Sequence, residues 1–79
     1  MLETLRRKVD LLEDTAAYEA LEQLRKHSSM VVLTSRGHIV AWLRPGVDPA
    51  MFENRSVRLL EAKRLRNHYT LAKYEARLH

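Results

Sequence analysis

The sequence predicts an α+β domain: a long helix, a β-hairpin and a second long helix in the order α-β-β-α, dimeric through the hairpin. Three observations predict it. Apolar residues recur at three- and four-residue steps at both ends of the chain, the period of one helix face. The stretch between them, "VVLTSRGHIVAWLRPG" at 31–46, is rich in β-branched residues around a glycine turn. At 79 residues there is room for one domain, residues 1–79, and one small core.

The first element follows from Leu2, Leu5, Val9, Leu12 and Ala16, which share one helix face. After Ala16 the stripe passes to Ala17, Ala20 or Leu21, and Leu24. Its phase slips near "EDT", where Asp14 and Thr15 are both good N-cap types. The expectation is a helix over about residues 2–26, with a kink or interruption at 13–15.

The hairpin pairs Met30–Thr34 with Ile39–Leu43. Gly37 can take the left-handed conformation that closes a three-residue Ser35-Arg36-Gly37 loop. That register sets Leu33 opposite Ile39 and Val31 opposite Ala41. One face then carries Val31, Leu33, Ile39, Ala41 and Leu43. The other carries Met30, Val32, Thr34, His38, Val40, Trp42 and Arg44, and is apolar at its middle. A lone two-stranded hairpin is marginal in water. Helices of the same chain can cover one face, but Val32, Val40 and Trp42 on the second call for cover too, and both strand edges stay open. A second copy of the chain is the simplest cover, two hairpins forming a four-stranded sheet. Val32, Val40 and Trp42 are then the expected dimer interface. The competing arrangement is a monomer whose two helices clamp the hairpin.

Pro45-Gly46 ends the sheet. Asp48 before Pro49 is an N-cap followed by a first-turn proline, a helix start. After a pause near "ENRS", the stripe Leu59, Ala62, Leu65, Tyr69, Ala72 and Ala76 predicts the long C-terminal helix.

Charge is unevenly placed. Residues 1–54 hold seven Lys/Arg against eight Asp/Glu, whereas residues 55–79 hold seven against two, a local net of +5. On the expected last helix Lys63, Arg66, Lys73 and Arg77 form a row, each one position after a member of the apolar stripe. Arg55, Arg58 and Arg64 add charge nearby, and Tyr69 and Tyr74 offer stacking surface. Such a helix can lie along a phosphate backbone or enter a major groove. Arg6, Arg7 and Lys8 form a second basic cluster, and Arg36 sits at the hairpin tip. The bland counterpart is a solvated face, or one paired with residues 9–24, which hold five acidic residues and no basic one.

Other classes are excluded or unsupported. There is no cysteine, so disulfides and thiolate metal sites are out. The histidines His27, His38, His68 and His79 lack metal-ligand spacing, and neither metal nor cofactor is expected. Ser28, Ser29 and Ser35 have no nucleophile context, and no zincin, phosphate-loop or dinucleotide signature occurs. The chain therefore reads as a non-enzyme. The longest apolar run, Ile39 to Leu43, is far short of the roughly 20 residues that cross a bilayer. With no signal-peptide core at the N-terminus, the expectation is a soluble cytoplasmic protein without membrane partners.

Residues 17–46, "AYEALEQLRKHSSMVVLTSRGHIVAWLRPG", resemble the core of the Phd/YefM antitoxin family. That family shows a helix, a short polar break, a strand, a Gly turn and a second strand. The counterparts here are "VVLT", "SRG" and "HIVAWL". The resemblance implies a dimer built on the hairpin, with Arg6, Arg7, Lys8 and Arg36 available to operator DNA. The combined expectation is an antitoxin-like, homodimeric regulator that holds duplex DNA through phosphate contacts. The alternative is a phage- or plasmid-type inhibitor or adaptor, docking a basic C-terminal helix on an acidic protein partner.

Overall fold

The computed structural model describes residues 11–77. They contain helix α1 (Thr15–Lys26), strands β1 (Ser28–Leu33) and β2 (His38–Leu43), a 3₁₀ turn at Pro49–Phe52, and strands β3 (Val57–Arg64) and β4 (Thr70–Ala76). The strands form one antiparallel sheet in the order β1-β2-β4-β3. The sheet is two hairpins joined through their inner strands, β2 and β4. The connection from β2 to β3 must therefore pass β4, and it does so on the helix side. Among the described residues no helix is long and apolar enough to cross a membrane.

Local chemistry explains the start of α1. Residues 11–13 are helical, Asp14 is extended, and Thr15 begins a new helix. Asp14 Oδ1 accepts from the Ala17 N–H at 3.2 Å, satisfying one of the first-turn donors. The interruption expected at 13–15 is therefore present. The part of the expected helix before residue 11 lies outside the described residues. Ala16, Ala17, Ala20 and Leu24 form the buried stripe of α1, and three alanines let the helix approach the sheet closely.

The first hairpin has the expected register: Val31 pairs with Ala41, Val32 with Val40 and Leu33 with Ile39. Gly37 turns with φ 81°, and its N–H donates to Thr34 O at 3.1 Å.

The second half departs from expectation. Asp48 does cap a helical start, accepting from the Ala50 N–H at 3.0 Å, with Pro49 in the first turn. The helix stops after that single 3₁₀ turn, because Phe52 turns into the core and Asn54 Oδ1 accepts from the Ser56 and Val57 N–H groups. Residues 57–76 then form two strands. In β4, Ala72, Tyr74 and Ala76 are buried while Leu71, Lys73 and Glu75 face the other way, a strict period of two. The helical stripe skips Tyr74, yet Tyr74 is the largest fully buried side chain of the protein's described part. Leu59–Arg64 have high intrinsic helix propensity, but pairing with β4 overrides it. The fold is thus a four-stranded sheet with one short helix on one face. The α-β-β-α reading, the long C-terminal helix and its basic stripe are all corrected by this pairing.

The same pairing removes one part of the argument for a dimer built on the hairpin, the open edge of β2. The free edge of β2 is taken by β4 of the same chain, from His38↔Glu75 to Leu43↔Thr70. The four-stranded sheet assigned to two copies is completed within one.

The core lies between α1, the 44–56 connection and one sheet face. Leu24, Ile39, Ala41, Leu43, Val57, Ala72 and Tyr74 are all fully buried there. Tyr74 donates its hydroxyl to Pro49 O at 2.6 Å and meets Phe52 edge-on, with ring centroids 6.5 Å apart. Burial holds its phenol protonated well above the usual range, so the donor persists at alkaline pH.

A polar lash closes one end of this core. Asp14 accepts from Ser56 Oγ at 2.9 and 3.0 Å, and Asn54 Nδ2 donates to Ala16 O at 2.8 Å. The hydrogen bond from Ala17 N–H is the main cause of a lowered Asp14 pKa, opposed by desolvation and aided by the Ser56 hydroxyl. Asp14→Ala is expected to cost about 1–2 kcal/mol, measured by urea unfolding. A depressed folded pKa means that the contribution is present above the unfolded carboxylate value, about 3.9, and lost as pH falls through the folded value. The gap between parent and variant should therefore shrink below about pH 4.

The two sheet edges differ. β3 carries Arg58, Glu61, Lys63 and Arg64 and a bulge between Leu59 and Glu61. β1 carries no charged residue, and no described strand pairs with its outer edge. A largely apolar groove of about 510 Å³ runs beside β1, lined by Leu11, Leu12, Leu21, Met30, Val31 and Leu33 together with Arg25, Ser28 and Ser29.

Candidate nucleic-acid interface

The sheet face turned away from α1 is covered by no described element. Strand register orders its side chains into three rows. His38, Glu75 and Arg58 form the first; Val32, Val40, Lys73 and Glu61 the second; Met30, Trp42, Leu71 and Lys63 the third. The alternation of β2 and β4 produces this. Apart from Thr70 at the start of β4, every residue that faces α1 in those strands is buried, so its neighbours must face outward.

The first row is internally neutralised. Arg58 Nη2 lies 3.0 Å from Glu75 Oε1, and His38 Nε2 lies 4.0 Å from Glu75 Oε2. The other two rows divide across the sheet. On the β1–β2–β4 side, Met30, Val32, Val40, Trp42 and Leu71 form a continuous apolar patch. Met30 and Val32 are 51% and 41% exposed, while Val40, Trp42 and Leu71 are half-buried by their neighbours. On the β3–β4 side are Lys63 and Lys73. Arg64 ends β3, and Arg66 lies in the 65–69 loop just beyond. None of Lys63, Arg64, Arg66 and Lys73 forms an ion pair with a described residue. Glu61 sits opposite Lys73 without pairing to it.

The free end of the β3–β4 ribbon is open on both sides. Leu60 through Arg64 are exposed, including Ala62 and Arg64, which point to the helix side but lie past its cover. The loop is held by Leu65 N–H donating to Tyr69 O at 2.7 Å and by Tyr69 N–H donating to Asn67 Oδ1 at 3.2 Å. His68 takes φ 68°, the left-handed conformation this turn requires. The ribbon tip is thus a defined platform for Arg64 and Arg66.

The basic row expected on a helix is dispersed. Lys63 and Arg66 stand at the ribbon tip and Lys73 stands mid-face. Arg77 follows the other end of β4, where its N–H donates to Ser56 O at 2.6 Å. At about 3.3 Å per residue, that end is some 23 Å from Thr70. Arg36, exposed in its turn, belongs to Arg77's end of the sheet, since Ala76 N–H donates to Gly37 O at 3.2 Å. Arg6, Arg7 and Lys8 lie outside the described residues. Val32, Val40 and Trp42 do share one face, as the alternation required. Tyr74 is in the core and offers no stacking surface; Tyr69 is half-buried in the loop. No ion pair joins the β3–β4 ribbon to α1 among the described residues, whose helix pairs Arg25 with its own Glu22 at 3.4 Å.

Met30 and Leu71 complete the patch, and Arg64 belongs at the ribbon tip. The period-two pattern of 70–76 carried the signal for Leu71. Among the described residues no cluster of His, Asp or Glu could hold a metal ion.

No protein family, curated protein or solved structure matches this chain, and the Phd/YefM resemblance rests on residues 17–46 alone.

Proposed function

We propose that the protein binds nucleic acid, taking phosphates on Lys63, Arg64, Arg66 and Lys73. One observation carries this reading. Lys63, Arg64 and Arg66 gather at the free end of a two-stranded ribbon and Lys73 stands on its outer face, none with an ion-pair partner among the described residues, while the ribbon's two acids are Glu61 and Glu75, the latter held by Arg58. A two-stranded ribbon is narrow enough for a major groove, and an open sheet face suits a single strand; both use the same phosphate contacts. The adaptor reading required a basic C-terminal helix, and the pairing of β3 with β4 leaves no such element.

Salt titration is the test. Labelled mixed-sequence oligonucleotides, duplex and single-stranded, are followed by anisotropy between about 50 and 200 mM salt. Engagement of three to four phosphates gives a log–log slope of about −3 to −4 on duplex or about −2 to −3 on single strands. Undetectable binding at the lowest salt, or binding indifferent to salt, overturns the proposal.

A further inference from the structure

We infer that the nucleic acid is single-stranded and that Trp42 is the platform on which one of its bases stacks. This rests on the nucleic-acid reading above and names the form of its ligand.

Met30, Val32, Val40, Trp42 and Leu71 form an apolar surface that runs from the β1 edge to β4. A duplex buries its bases and presents phosphates and groove edges, so apart from thymine methyl groups it gives this patch nothing apolar to cover. An unpaired base presents a π-face of the size of an indole, and stacking on an aromatic side chain tolerates any base. Trp42 is the only tryptophan in the chain, and it sits on β2, an interior strand held on both sides. Its position is therefore fixed by two ladders, as a stacking platform requires.

Charge chooses among the occupants of this face. Trp42 is flanked in its own row by Leu71 and then Lys63, two strand spacings or about 10 Å away. Lys73 lies beside Val40 in the adjoining row. Lys63 and Lys73 lie on the β3–β4 side of the patch; toward β1 the one cation among the described residues is Arg44, whose Nη2 donates to Ser28 O at 3.5 Å. Glu75 is engaged by Arg58, leaving Glu61 as the one unpaired acid on this face among the described residues. An apolar surface bordered on one side by unpaired lysines matches a ligand with bases on one side and phosphates on the other. The chain would run roughly along β4, its bases turned toward β2 and its phosphates toward Lys63, Lys73 and the ribbon tip. A second copy of this face would instead bring its own lysines to the same border.

Tryptophan fluorescence reads this directly, since Trp42 is the sole reporter. Thymidine oligonucleotides of about ten nucleotides, and a duplex of the same length, are titrated into the full chain at low salt, with molar mass followed by light scattering. The expected result is saturable quenching by the single strand, and weaker binding of the duplex without quenching. Trp42→Leu, which keeps the patch apolar, should lose about 5- to 150-fold in single-strand affinity with unchanged circular dichroism. Trp42→Phe should retain most of it. Binding that depends on salt but leaves Trp42 emission and the Leu variant unaffected overturns the stacking inference while the phosphate reading stands. So does a duplex bound more tightly than the single strand. Quenching that follows protein concentration alone, with doubled molar mass, assigns the face to a second copy and overturns it too. No binding of either form at low salt removes both readings together.

Discussion

Replacing Tyr74 by alanine is expected to destabilise the protein by about 3–5 kcal/mol, the range for removing a large aromatic side chain from a packed interior. A domain of 79 residues holds about 4–12 kcal/mol in total, so the variant should be partly or wholly unfolded at room temperature. The size of the effect follows from position. Tyr74 is fully buried on β4, an interior strand, and it alone joins the sheet to the 3₁₀ turn through both its ring and its hydroxyl. Tyr74→Phe separates the two contributions. It keeps the edge-on contact with Phe52 and loses the hydrogen bond to Pro49 O, at a cost of about 1 kcal/mol. Urea unfolding followed by circular dichroism measures both. An alanine variant within about 1 kcal/mol of the parent would mean that Tyr74 does not hold the connection against the sheet. The raised phenol pKa has its own signature. Its contribution is complete below the unfolded value of about 10 and declines as pH rises beyond it, so alkaline loss of stability should be smaller in Tyr74→Phe.

Reversing the ribbon tip, with Lys63, Arg64 and Arg66 all changed to Glu, should lower nucleic-acid affinity by about a hundredfold or more at 50 mM salt. The salt slope should fall by about 2–3, roughly one phosphate for each cation removed. All three side chains are exposed and lie past the cover of α1, so the thermal transition should move little. Arg77→Glu is the internal control. It removes as much charge per residue but from the far end of β4, and the slope should stay nearly constant. Equal losses from Arg77→Glu and from single tip variants would show attraction by net charge alone, without a defined phosphate site.

The first half of the fold was readable because its determinants are local. Asp14 caps by bonding three residues ahead, and Gly37 closes a turn between strands that are adjacent in sequence. The second half was not, because Leu59, Ala62, Ala72 and Ala76 satisfy a helical period while Ala72, Tyr74 and Ala76 satisfy a strand period. What decides between them is a neighbour more than thirty residues earlier in the chain: β2, whose inner edge β4 completes. Asp48-Pro49 shows the same limit. The cap and the proline were read rightly, but Asn54 intercepts the next free N–H groups and ends the helix after one turn. For the candidate site, the shared face of Val32, Val40 and Trp42 followed from alternation alone. The cations do not form a row: a spacing of three and four that aligns side chains on a helix scatters them on a hairpin, which is how Arg77 parts from Lys63.

The unequal borders of the sheet limit how copies of this molecule could join. At the β3 margin, three positive side chains and one negative, with an extra residue in the ladder, obstruct a visiting strand. The β1 margin carries no charged side chain of its own and, among the described residues, no such guard. Growth by strand addition therefore has one open end per molecule. Two open ends meeting consume each other, so such growth stops at a pair and endless ribbons have no site from which to extend.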